Sequence, residues 1–427
     1  MPEPVFRPRL VATALAVASL VALSCNARRE GAPALQSAAA APVRIGVIAP
    51  FFSTPGEGIR NGARMAVDEI NAAGGVGGRR LEIIEINDEF SPAKAVLAYQ
   101  SLAGQQGVVA VVGFAGSGIF PVMEQLSRYG VPVLGTGVAA DKLTAMVAAD
   151  PGRYGAFFRV MHSSSEMGDV TAAFLRDYLH GELGLQRFAV LVEDDIWTKQ
   201  LRDKWKETIA ATPGTRLVFE DTFSPQTTDF AATFRRISAA KAQYVLDASS
   251  RVSSALYLRR WAETKDALIG AVPTGAGTRK YYDEIGPGGT GVCSIGVIPA
   301  ANNPLSKAAA AWNRAYTGRF GDPEYTSAYT YDAIHLLASA LRHASPNDAA
   351  ALRRALESTD HAGVMGRYVF DKGHHPRFGS GYRVLNMLQY QLPDAEGYRV
   401  IWPPDRASAG FVLPDWWKGQ IKTVKSN

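Results

Sequence analysis

Apolar positions along this chain change their period every few tens of residues. Val43 to Ile48 (VRIGVI) is a nearly continuous apolar run, as a strand covered on both faces requires. The period then lengthens: Ala63, Ala66, Val67 and Ile70 recur at i, i+3, i+4 and i+7, one face of a helix, while Arg64, Asp68 and Glu69 fall outside the stripe. Gly74 stands where a helix C-terminus wants a left-handed residue, so the helix is expected to stop there. Leu81, Ile83, Ile84 and Ile86 are strand-like again. Strand, helix, strand is a crossover unit, and such units build parallel sheets.

The alternation continues. Val108 to Val112 reads as a buried strand, followed by a helix carrying Val122, Met123 and Leu126, and Val131 to Leu134 is the next strand. A second series opens at Phe188 to Val192, with a helix from Thr198 to Ala210 and a strand at Leu217 to Phe219. It runs on through a helix at Phe230 to Ile237, a strand at Tyr244 to Leu246, a helix at Ala255 to Ala262 and a strand at Ala267 to Gly270. One strand in roughly 25–30 residues is the spacing of strand–helix repeats. The character breaks near Arg159 to Ser165 and again at Pro299 to Pro304. Two α/β lobes around a cleft follow, with ligands expected beyond the carboxyl ends of the strands.

Composition narrows the class. Of 427 residues, 47% are hydrophobic and 20% charged, the balance of a soluble globular protein. The formal charge is +5, but acids and bases are interspersed and no long basic run appears, which argues against a nucleic-acid partner. The N-terminus is different material. Arg7 and Arg9 precede an apolar run from Leu10 to Leu23, then come Ser24 and Cys25, the layout of an export signal. Cys25 directly after Ser24 resembles a bacterial lipoprotein signal, with Ala22 standing where leucine is usual. Lipidation of Cys25 is therefore expected, with Asn26 to Ala41 as a flexible tether. The one other cysteine, Cys293, leaves no disulfide framework and no cysteine zinc site.

The candidate chemistry is sparse. The loop after Val112 reads Gly113-Phe-Ala-Gly116-Ser117-Gly118, which lacks the spacing of a dinucleotide fingerprint, and Ser117 is not in a nucleophile elbow. It still offers N–H groups and a hydroxyl to a carboxylate, or simply caps the next helix. His374 and His375 are adjacent and cannot form a metal pair on one helix face. Asp194 and Asp195, with Trp197 beyond, are either solvated loop acids or an acid pair. No cofactor, metal or catalytic assembly is expected.

Four stretches, taken together, carry a resemblance: VRIGVIAP, NGARMAVDEINAAGGVGG, VVGFAGSG with VPVLGTG, and the segments from Tyr329 to Ala333 and Gly366 to Gly373. In this order and spacing the chain resembles type I periplasmic binding proteins, the leucine/isoleucine/valine-binding kind that feed ABC importers. The resemblance implies two doubly wound parallel-sheet lobes joined by a three-strand hinge. After an export signal (residues 1–24) and a tether (25–42), lobe 1 would take 43–162 and 300–379, and lobe 2 would take 163–299 and 380–427. It implies a monomeric, extracytoplasmic binding protein, held at the periplasmic face or cell surface by its lipid, that captures an amino acid, carboxylate or amide by hinge closure. Permease subunits would be its partners. A sensor domain serving a signalling receptor is the alternative.

The resemblance also implies sites. Ser117, or Gly116 through its N–H, would hold a ligand carboxylate, with Gly137 and Ala139 on the next loop and Trp197 covering from lobe 2. Phe52, Asp247, Ser250 and Thr274 complete the expected shell. Ala139 stands where a threonine hydroxyl is usual, Ser250 near an expected aromatic, and Thr274 where an acid should meet an α-ammonium. Either Asp247 or Asp194 replaces that acid, or the ligand has no α-amino group. The expectation drawn here is the second: a small carboxylate or amide, with aromatic character in view of Phe51, Phe52 and Trp197, and Arg251 free to meet a further anionic or carbonyl group.

Overall fold

The computed structural model describes residues 41–273, 275, 279–391 and 397–417. The export signal, Cys25 and nearly all of the tether lie outside them, as does Thr274. Strand β1 (Val43–Ala49) is buried along almost its whole length and pairs in parallel with β2 (Leu81–Asn87) and β3 (Ala110–Ala115). β4 (Val133–Gly137) and β5 (Phe157–Arg159) complete a parallel sheet of order β2-β1-β3-β4-β5. A second parallel sheet, of order β7-β6-β8-β9, is built from β6 (Arg187–Glu193), β7 (Arg216–Phe223), β8 (Tyr244–Ala248) and β9 (Leu268–Ile269). Each is the centre of one lobe.

The two-residue period of a strand divides each sheet between two cores. On β3, Ala110 and Val112 join one apolar cluster while Val111 joins the other. On β6, Phe188, Val190 and Val192 face one way and Ala189 and Leu191 the other. Both sheets are covered on both faces, which is why their strands read as continuous apolar runs rather than as alternations.

The helix after β1 runs Thr54–Ala72 and stops on glycine as expected. Gly74, at φ 96°, donates to Asn71 O at 3.1 Å, and Gly75 donates to Ile70 O at 2.8 Å, which closes the last turn. This helix packs against Ser327–Ala340 so closely that a Cβ on Gly62 would lie 2.3 Å from the carbonyl oxygen of Ser327. Thr326 Oγ1 donates to Pro55 O (2.7 Å) and Thr330 bonds Thr136 on β4 (2.8 Å), so a late segment of the chain is tied into the first lobe.

The short reading of a helix around Val122 is corrected. That region is a 3-10 turn (Gly116–Ile119) followed by two single-turn helices at Phe120–Met123 and Leu126–Tyr129. Of the strands in the last third, the sequence signals only the one at Cys293, in the apolar run GVCSIGV. β10 (Cys293–Ile295) pairs antiparallel with β13 (Met387–Tyr390), which pairs with β14 (Tyr398–Trp402), while β11 (Asp360–Gly363) and β12 (Gly366–Val369) form a hairpin. Leu388, Tyr390, Tyr398 and Val400 share a core cluster with Tyr257 and Trp261 of the second lobe. No helix among the described residues is long and apolar enough to cross a membrane.

Gly62→Ala is expected to lower stability by about 1–3 kcal/mol, the usual cost of overpacking. Urea unfolding measures it. An unchanged midpoint would mean that the two helices part without cost.

Candidate functional site

The carboxyl ends of both sheets open on one cavity of about 70 Å³. From the first lobe come the turn after β3 and the loop after β4. The end of β3 bends sharply into that turn: Gly113 and Phe114 on the strand and Gly116 just after it all have positive φ, and a Cβ on Gly113 would lie 2.3 Å from Ile48 O. Gly116 thereby presents backbone to the cavity, and a Cβ built on it would lie 3.9 Å from Asp195 Oδ2 of the opposite lobe. After β4, Gly137, Val138, Ala139 and Ala140 form the wall. Fully buried Arg159 donates to Ala139 O and Ala140 O, each at 2.7 Å, so this loop is held from behind by a guanidinium.

The second lobe's wall is organised by Glu193, the last residue of β6, which has no exposed surface. Its Oε2 accepts from the backbone N–H groups of Ser250 (3.0 Å), Arg251 (2.9 Å) and Val252 (3.0 Å). Its Oε1 accepts from Arg251 Nε at 2.9 Å. Arg251 also donates to Asp194 O and lies 3.2 Å from Asp195 Oδ2. Asp195 in turn caps the helix Ile196–Ala211, accepting from Ile196 N at 2.6 Å. The loops after β6 and β8 are thus one hydrogen-bonded unit, with Trp197 Nε1 bonded to Ser250 Oγ at 3.3 Å on the cavity side. Burial raises the Asp195 carboxyl above the usual range, and the Arg251 charge opposes the rise.

Phe120, Leu143, Met161, Met167, Ile196 and Trp197 make the cavity chiefly apolar. Among the described residues of its wall, Asp195 and Glu324 carry charge, and no lysine, arginine or histidine is present. A second, outer chamber of about 360 Å³ shares Ser250, Gly275 and Glu324 with it and opens past Phe52, Phe90 and Arg251.

Of the expected site residues, Gly116, Gly137, Ala139, Trp197 and Ser250 line the inner cavity. Ser117 does not: it is exposed on the 3-10 turn, pointing the expected carboxylate contact to the Gly116 backbone instead. Phe52 is 69% exposed and rims only the outer chamber. Asp247 is wholly buried within its lobe, where it accepts from Ala271 N and Tyr257 Oη, each at 2.8 Å, and burial pushes its carboxyl up to about 7 against those bonds. Asp194 is exposed and paired with Lys199 at 2.7 Å. Neither acid takes the place expected for an ammonium partner. Arg251 is engaged by Glu193 and Asp195 rather than held free for a ligand. From the second lobe, the acid that reaches the cavity is Asp195, in the loop after β6 beside Asp194. Met161, Tyr325 and Tyr329 were missed; they come from elements far apart in the chain and carried no local signal.

Comparison with known proteins gives a consistent picture. A family model described as periplasmic binding protein matches residues 42–388. An "Amino acid binding protein" of Pseudomonas aeruginosa is 27% identical over 385 residues, covering 87% of this chain and 94% of its own. A branched-chain amino acid transporter substrate-binding protein of Streptococcus pneumoniae, solved with isoleucine, superposes with a TM-score of 0.71 at 21% identity, over 85% of this chain and 100% of its own. A solute-binding protein of an ABC transporter from Rhodopseudomonas palustris, solved with 3,4-dihydroxybenzoic acid, gives 0.72 at 18%, over 88% and 99%.

Glu193→Ala leaves three backbone N–H groups and Arg251 without their acceptor. Unfolding stability is expected to fall by about 3 kcal/mol or more, the scale on which a broken buried pair costs. A loss below about 1 kcal/mol in urea titration would show that the two loops do not depend on this carboxylate.

Proposed function

The chain belongs to the periplasmic binding protein family, and we propose that it is the extracytoplasmic solute-binding component of an ABC importer that captures an amino acid with an apolar side chain. The observation that carries the solute class is Asp195. A largely apolar cavity with Asp195 and Glu324 in its wall and no basic side chain among the described wall residues favours a solute that brings its own positive group. The zwitterion then divides between the lobes. Its carboxylate meets backbone N–H groups at Gly116 and at the loop of Gly137 and Ala139, its ammonium meets Asp195, and its side chain lies among Leu143, Met161, Met167 and Trp197. Closure about a hinge between lobe 1 (residues 43–162 and 300–379) and lobe 2 (163–299 and 380–427) brings these groups together.

A second reading keeps the fold and changes the solute. Phe120 and Trp197 in the wall suit an aromatic carboxylate without an amino group, and the Rhodopseudomonas palustris protein was solved with one. Titration calorimetry with leucine, phenylalanine and benzoate separates the two. Leucine or phenylalanine is expected to bind in the micromolar range, and Asp195→Asn to weaken either by about tenfold to a hundredfold while leaving a benzoate response unchanged. Benzoate binding alone, unaffected by Asp195→Asn, would overturn the amino-acid reading.

The importer role also needs a place at the membrane. The monomeric protein is held there by a lipid on Cys25, and Cys25→Ala is expected to move it into the soluble fraction on cell fractionation. Retention at the membrane with the leader attached would show an anchor helix instead.

A further inference from the structure

Asp141 follows the first-lobe wall residues Ala139 and Ala140 and leads into the helix Lys142–Ala149. It meets the second lobe at two points. Its Oδ2 accepts from Ser165 N at 3.1 Å and from Ser165 Oγ at 2.8 Å. Its backbone N–H donates to Gln200 Oε1 at 3.2 Å. A backbone N–H only donates, so the Gln200 amide has to present its oxygen, and the direction of this bond is fixed.

The two points differ in what tethers them. Arg159 ends β5 six residues before Ser165, and its Nη1 lies 3.7 Å from Asp141 Oδ1. That short stretch of chain keeps Ser165 near Asp141. No such stretch reaches Gln200, which stands three residues beyond Trp197 on the helix Ile196–Ala211. This helix is fastened to the helix Ser164–Ala173 of its own lobe. Trp205 Nε1 donates to Thr171 Oγ1 at 2.7 Å, both residues being buried, and a Cβ on Gly168 would lie 3.5 Å from Leu201 Cδ2. Gln200 therefore reaches out of a packed second-lobe body to the loop that walls the cavity in the first. Asp141 and Gln200 are each half-buried, so both can turn to water when the bond parts. One neutral hydrogen bond between such groups has a small net worth, and the contact is reversible, as a hinged cleft requires.

We propose that Gln200 is a positioning residue that latches the closed cleft, tying the helix of Trp197 to the wall loop of Ala139 through the Asp141 N–H. This rests on the lobe closure proposed above and is independent of the solute's class. Gln200 is not among the described residues of the cavity wall, so the latch governs escape rather than recognition.

The test is a comparison of rates. Stopped-flow measurement and calorimetry give the dissociation rate and affinity of leucine, phenylalanine and benzoate for the wild-type protein, Gln200→Ala and Gln200→Met. Methionine keeps the length of the side chain and lacks the amide oxygen. Both variants are expected to release every solute that the wild-type protein binds about threefold to tenfold faster, and to bind it weaker by a like factor, the scale of one neutral hydrogen bond. Their urea midpoints without solute are expected to match the wild type, and a lowered midpoint would mark a merely structural role and overturn the proposal. An unchanged dissociation rate in both variants overturns it while the amino-acid reading stands. A loss confined to the amino acids, with benzoate bound as before, also overturns it, because Gln200 would then act in recognition. Should the wild-type protein bind none of the three, the amino-acid reading falls, and a measurement without solute decides the latch. Spin labels on Leu97→Cys and Glu207→Cys, exposed residues of the first and second lobes, report the separation of the lobes by pulsed electron resonance. Adding Gln200→Ala is expected to shift that distribution toward the open form, and an identical distribution overturns the proposal.

Discussion

A carboxylate with no exposed surface, Glu193, is the constraint on which the geometry of the cleft depends. It ends β6, and its two oxygens gather three consecutive backbone N–H groups and the side chain of Arg251 from the loop after β8. Four donors on one buried carboxylate replace the hydrogen bonds that water would otherwise give it. The same assembly fixes Arg251, which holds Asp195, which caps the helix Ile196–Ala211 and faces Gly116 across the cleft. The position of the one acid brought toward the first lobe thus follows from a bond made inside the second.

Behind the first lobe's wall the signs are reversed. Arg159 is fully buried and donates to the carbonyls of Ala139 and Ala140, so the loop that faces the solute is braced by a cation that the solute never meets. Each lobe spends its buried charge on holding loops, and both leave backbone and a small number of polar atoms for recognition. The cavity between them is chiefly apolar, and Asp195 and Glu324 are the charged side chains among its described wall residues.

The parallel sheets were legible because strands covered on both faces leave unbroken apolar runs, and Val43 to Ile48 and Phe188 to Val192 are of that kind. The helix stop at Gly74 was legible because only a left-handed residue closes that turn. The antiparallel strands near the C-terminus were not: Met387–Tyr390 and Tyr398–Trp402 are short, and their partner β10 lies some way back in the chain. The loops after the strands supply Gly116, Gly137, Ala139, Trp197 and Ser250 to the cavity wall. Within those loops, which side chain turns inward was not legible. Asp194 and Asp195 are neighbours of identical type, and the backbone sends one to solvent and Lys199, the other to Arg251 and the cavity. Asp247, on a strand rather than after one, turned into its own core. Tyr329 enters the sequence reading only within the stretch Tyr329 to Ala333 that carries the resemblance, and its bond to His162 joins residues far apart in the chain.

The central claim is that Asp195 is the partner of a ligand ammonium in a closed cleft. A crystal structure of the protein grown with leucine tests it most directly. The account expects the amino nitrogen within about 2.7–3.2 Å of an Asp195 carboxylate oxygen, with the leucine carboxylate on the N–H groups beside Gly116 and Ala139. Leucine bound with its ammonium turned away from Asp195, or a cavity in which Asp195 keeps Arg251 as its sole partner, would contradict it.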